Sequence, residues 1–206
     1  MLISQSVVMV ARQFQPSTVG EYWLMTNGVA TGVYGNKIST DVLSSHSTTR
    51  FELTVLPDKA SFALKPNADI SVALEEIRAF IRKLPDPRYW AVGFNFSYRL
   101  TQDGADVKQF SQRFQFQPEI SGIHSAATVW GAIALTPGPH GGMIRLHVTP
   151  VFPSANPADT PTMLVAEFNV NFHIPDDDHK KALASIDHFE ESANHVCDLQ
   201  SRLVQP

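Results

Sequence analysis

The chain has 206 residues, 16 Lys and Arg against 20 Asp and Glu for a net charge of −4, and is 43% hydrophobic and 17% charged. Thirteen Phe and three Trp exclude a disordered polymer. The slight acidic balance excludes a strongly basic nucleic-acid binder, and the single Cys197 excludes an internal disulfide framework. The length predicts one domain, 1–206, within the usual range of about 100–200 residues.

No apolar run approaches the ~20 residues of a membrane-spanning helix. The apolar start has no basic residue before Arg12 and is interrupted by Ser4, Gln5 and Ser6, so it reads as a strand, not a secretion signal. A lone thiol suits a reducing compartment, and a cytoplasmic location is expected.

Val7 to Phe14 predicts a strand ending before Pro16. Ser17 to Gly28 predicts a short helix capped by Ser17 or Thr18. Thr26 to Thr49 shows no clear period and reads as a long loop, with at most a short strand near Val33 and Tyr34. Arg50 to Leu56 alternates, with Phe51, Leu53 and Val55 on one side, and Pro57 and Asp58 turn it into a second strand through Phe62 and Leu64. Asn67 or Asp69 then caps a helix whose apolar positions Ile70, Leu74, Ile77, Phe80, Ile81 and Leu84 follow helical spacing up to Pro85.

Tyr89 to Thr101 alternates most cleanly of all and predicts a central strand. Asp103 and Gly104 predict a turn, Phe110 to Phe116 and Thr128 to Leu135 two further strands, and Pro137 to Gly142 a loop leading into a strand from Met143 to Phe152. Pro153 to Pro161 reads as an exposed excursion. Leu164 to Ile174 predicts a long strand, and Asp176, Asp177 and Asp178 open a last helix running from about 177 to 204. Its stripe is Leu183, Ile186, Phe189, Ala193, Val196, Leu199 and Leu203.

Strict alternation argues antiparallel pairing with one buried face. The expected architecture is therefore α+β: a large twisted antiparallel sheet with two amphipathic helices, about 70–84 and 177–204, packed on one face. A faint internal echo relates Phe51–Pro57 to Ile144–Pro150 and Phe94–Tyr98 to Phe168–Phe172, suggesting pseudo-repeat halves 1–117 and 118–206.

The other sheet face is then polar but sparsely charged. It carries Thr54, Asn95, Ser97, Arg99, Gln115, Thr149 and the ligand-binding candidates Arg145, His147, Glu167, Asn169, Asn171 and His173. Histidines near a carboxylate and an arginine can anchor a polar ligand or move protons if they converge. The acidic run before His179 is explained by helix-start chemistry, and the Asp-x-Asp-x-Asp-Gly calcium pattern is absent. His188, Glu191 and His195 share a helix face without the His-Glu-x-x-His pattern. Cys197, beside Val196 of the stripe, reads as a partly buried structural thiol. There is no Gly-x-Ser-x-Gly elbow, no phosphate-binding Gly-rich loop and no dinucleotide fingerprint.

These features predict a non-enzymatic protein-interaction or assembly module that forms a homo-oligomer. No catalytic residues, metal, cofactor, nucleic acid or membrane are expected. Two alternatives are a small-molecule-binding protein or enzyme using the polar sheet face as a pocket, walled by Tyr22, Trp23, Trp90 and Trp130, and a viral or phage structural component.

Overall fold

The computed structural model describes residues 1–84, 87–101, 132–152 and 161–204. The predicted turn at 103–104, the strand at 110–116, the first part of the strand at 128–135 and most of the excursion at 153–161 lie outside the described residues.

The molecule is mixed α+β. Nine described strands form one antiparallel sheet in the order β2-β3-β4-β5-β1-β6-β9-β8-β7. They are β1 (Leu2–Arg12), β2 (Val33–Ser39), β3 (Ser44–Thr48), β4 (Phe51–Val55), β5 (Lys59–Leu64), β6 (Arg88–Arg99), β7 (Ala132–Pro137), β8 (Met143–Val151) and β9 (Met163–His173). The described α-helices are α1 (Glu21–Thr26), α2 (Ile70–Lys83), α3 (His179–Ile186) and α4 (Phe189–Val204). None of them is long and apolar enough to cross a membrane.

The long strands β1 and β6 pair at the centre, in a register that sets Val7 opposite Phe94 and Met9 opposite Val92. Outward from this seam, one side runs β5, β4, β3, β2 and the other β9, β8, β7. Each run is a meander that returns to the seam and is followed by helix. Phe51–Pro57 on β4 and Ile144–Pro150 on β8 thus occupy matching places, both one strand removed from the seam pair. Phe94–Tyr98 and Phe168–Phe172 do not match in this way, because β6 and β9 are direct neighbours.

The helices cover the face bearing Val7, Met9, Ala11, Leu53, Phe62, Val92, Phe94 and Phe168, all essentially fully buried. Helix α2 forms as its spacing predicts. Asp69 accepts from the Val72 backbone N–H at 3.2 Å, and Arg82 and Lys83 sit in the last turn, where cations oppose the dipole. Its stripe drives Phe80 into a cluster of edge-on rings with Phe62 at 5.1 Å and Trp23 at 5.9 Å.

Four sequence expectations need correction. The loop expected over 26–49 contains two strands, β2 and β3. They hide from hydrophobic periodicity because the inward positions of β3 are Ser44, His46 and Thr48, all buried. The short helix after Pro16 is a 3-10 turn, Pro16–Thr18, followed by α1, and α1 is preceded by Gly20 with no side-chain cap, not by Ser17 or Thr18.

The last helix is two helices, and Asp187 and His188 form the elbow between them. Ala182, Ser185 and Ile186 of α3 and Phe189, Ser192 and Val196 of α4 are buried on either side of the elbow. Tight i→i−3 bonds at Asp187 and His188, 3.1 and 3.2 Å, re-aim the chain. Phe189 then packs against Phe94 and Phe96. Finally, of the three acids before α3 only Asp178 caps, accepting from the Lys180 and Lys181 N–H groups. Asp176 and Asp177 adopt positive φ in the preceding turn.

Candidate functional site

The sheet face away from the helices carries the predicted polar set, and register places each member. Cross-strand partners point to the same face. One row runs Ser6, Asn95, Asn169 and Arg145 across β1, β6, β9 and β8. The next runs Ser97, Glu167 and His147. Asn169 Nδ2 donates to Asn95 Oδ1 at 2.7 Å, and Asn95 Nδ2 donates to Ser6 Oγ at 3.2 Å, so the amides form a chain across three strands. His147 Nδ1 lies 3.7 Å from Glu167 Oε2 and 3.3 Å from Thr149 Oγ1.

Arg145, His147, Glu167 and Asn169 thus converge, with Asn95 and Ser97, on one shallow depression of about 380 Å³. Asn171 and His173 do not line it. They lie farther along β9, opposite Gly93 and Ala91. The side chains of His147 and Glu167 are 41% and 58% exposed, so the depression is open to water and would not enclose a small molecule. Tyr22, Trp23 and Trp90 do not wall it. Trp23 packs on Phe80 in the helix layer, while Tyr22 and Trp90 are exposed, and Trp130 lies outside the described residues.

Beside these rows lies another in which Ile38, Ser45, Thr54, Ser61, Val8, Gly93, Asn171, Met143 and Pro137 stand in register across all nine strands. It contains no charged side chain. Among their described members, one flanking row is charged at Glu52 on β4 and Arg145 on β8, and the other at Lys59 on β5.

The helix face holds polar groups that the sequence pattern did not reveal. His46 Nε2 lies 2.7 Å from the Val19 carbonyl, which can only accept, so Nε2 carries the hydrogen. Ser44 Oγ donates to the same carbonyl at 2.5 Å and lies 2.8 Å from Nε2. This knot ties β3 to the segment that crosses over it, and its signal in the sequence is the alternation Ser44, His46, Thr48. Glu76, buried on α2, accepts from Arg50 Nη1 at 2.6 Å. Burial pushes its carboxyl above the ordinary value, against the pull of Arg50.

His188 and Glu191 do come together, joined by His140 from the β7–β8 loop and not by His195. His140 Nε2 lies 2.5 Å from Glu191 Oε2, and its ring stacks on His188 at 3.9 Å. Burial first, and His140 second, hold His188 below the ordinary imidazole value. Stacked rings direct their nitrogens along parallel planes, and among the described residues no group of three His, Cys, Asp or Glu is placed to hold a metal. His179 Nε2 meets the Ile81 carbonyl at 2.7 Å, tying α3 to α2. Cys197 is exposed, contrary to the expectation from the stripe, because it lies one position past buried Val196 and so on the outer flank of α4.

No protein-family model matches the chain, and no curated protein matches it in sequence.

Proposed function

We propose that the chain is a non-enzymatic interaction and assembly module that self-associates, a second copy covering the open sheet face. The observation that carries this reading is the uncharged row through Thr54, Ser61, Val8, Gly93 and Asn171. Burying a charge costs several kcal/mol unless it is paired, whereas small neutral side chains can be covered by another flat sheet at about 10 Å without that cost. Eight inter-strand steps of about 4.8 Å make the row about 38 Å wide. A band about 20 Å deep along it would present roughly 760 Å² per copy, close to the ~800 Å² per partner of a stable interface. The arrangement suits an isologous two-fold dimer.

Within this reading the chain is itself a doubled unit. The described meanders, of four and three strands, lie on either side of the β1–β6 seam. A cytoplasmic setting suits the exposed thiol of Cys197.

The test is light scattering on the parent and on Val8→Arg, which sets a cation in the middle of the row. The expected result is a parent dimer and a folded monomeric variant. A parent that stays monomeric at every concentration overturns the reading.

A second reading is favoured by the depression at Arg145, His147, Glu167 and Asn169, which offers both a cation and a carboxylate to a small polar molecule. Gently purified protein would then retain a small added mass that is lost in Arg145→Ala with the fold intact. Retention unchanged in that variant removes this site.

A further inference from the structure

The net charge is unevenly spread. Between Asp176 and Val204 stand seven acids (Asp176, Asp177, Asp178, Asp187, Glu190, Glu191 and Asp198) against three bases (Lys180, Lys181 and Arg202), so this segment carries a net −4, the whole net charge of the chain. The acidic segment borders a groove of about 510 Å³ between α2 and the α3–α4 elbow. Its apolar part is Leu74, which is buried, and Val72, which is 37% exposed at the rim. Its charged part is Glu75, Asp187 and Glu190, with Arg78 between them.

Arg78 is already engaged. Its Nε and Nη2 donate to Asp187 Oδ1 at 3.0 and 2.6 Å, and Nη1 donates to Glu75 Oε1 at 2.6 Å. Among the described residues Glu190 pairs with no cation. The groove therefore keeps an excess of negative charge beside Val72 at its rim and Leu74 at its floor. Toward its other end, past Glu75 and Asp187, Arg82 joins the wall next to Leu183, and the balance there is neutral. The groove is thus polarised along its length.

We propose that this groove docks a basic amphipathic segment of a partner protein, its aliphatic side chains on Val72 and Leu74 and its lysines or arginines on the Glu190 end. A groove between two helices with an apolar floor and rim accepts a third amphipathic segment, and rim charges choose its sign. The carboxylates are exposed, so the attraction is screened by salt and the affinity is modest. The groove is on the layer opposite the open sheet face and does not depend on self-association.

The test is fluorescence anisotropy with a short labelled amphipathic peptide bearing lysine on one face and leucine on the other, added to the full chain. Two control peptides replace lysine by glutamate or leucine by serine. The lysine–leucine peptide is expected to bind, with affinity falling as salt rises, and neither control to bind comparably. Glu190→Lys should weaken binding roughly tenfold, and Asp198→Lys, the same charge change on exposed helix away from the groove, by less than about twofold. Val72→Ser should weaken binding without altering the salt dependence. Circular dichroism confirms that each variant keeps its helices. No binding of the lysine–leucine peptide, equal binding of either control, or equal losses in Glu190→Lys and Asp198→Lys would each overturn the proposal. Repeating the titration on Val8→Arg separates the two interfaces: binding there should match the parent, and its loss would place the peptide on the sheet face instead.

Discussion

The two faces of the sheet are made by the same strands, yet they follow different rules. On the covered face, Phe51, Phe62, Phe94 and Phe168 interlock with α2 and α4, and several polar intruders are bonded: Ser44 and His46 to the Val19 carbonyl, Thr48 to the Phe51 carbonyl, Glu76 to Arg50. On the open face, Ser6, Asn95 and Asn169 bond to one another, and Thr54, Ser61 and Val8 lie flat between them and β2. The first face spends its side chains on holding the fold. The second contributes side-chain bonds between strands but little of the buried apolar packing.

Substitutions of graded cost sharpen this contrast. The largest effect is expected for Phe80→Ala, which empties the meeting point of Phe14, Trp23 and Phe62. It should cost about 3–5 kcal/mol in denaturant unfolding. Asp178→Ala removes the cap of α3 and should cost about 1 kcal/mol, read in the same experiment. At the small end, Thr54→Ala on the open face should stay within about 0.5 kcal/mol. A loss of several kcal/mol there would break the distinction between the faces.

Glu76 adds a pH dependence to the covered face. Its folded pKa is raised by burial, so its contribution to stability is complete below the ordinary carboxylate value and is lost as pH rises through the raised one. Measured across that window, Glu76→Gln should gain on the parent as pH increases. A difference between the two proteins that does not change with pH would show that the carboxylate is not desolvated.

The covered face was largely legible in the sequence because its logic is hydrophobic. The alternation of Phe51, Leu53 and Val55, the helical spacing from Ile70 to Leu84, and the run from Val92 to Leu100 each report which side is buried. What escaped follows a different logic. Strand β3 buries polar residues that are satisfied by a carbonyl 27 positions earlier for His46, a partner that no local period reveals. The elbow at Asp187 leaves no mark in the apolar spacing, because Ala182, Ile186, Phe189 and Val196 would share one face of an unbroken helix as well. Four of the six ligand-binding candidates converge because β6, β9 and β8 are neighbours. Asn171 and His173 share their face but fall farther along β9, a distance that alternation alone does not express. His140 reached His188 and Glu191 through a loop whose place over the elbow depends on the full strand order.

The most direct test of the account is native mass spectrometry of the gently purified chain and of Val8→Arg over a range of concentrations. The account predicts a symmetric dimer of twice the chain mass with no added ligand, converted to monomer by the single charge at the middle of the open face. A parent found only as a monomer, or a dimer that persists unchanged in Val8→Arg, would contradict it.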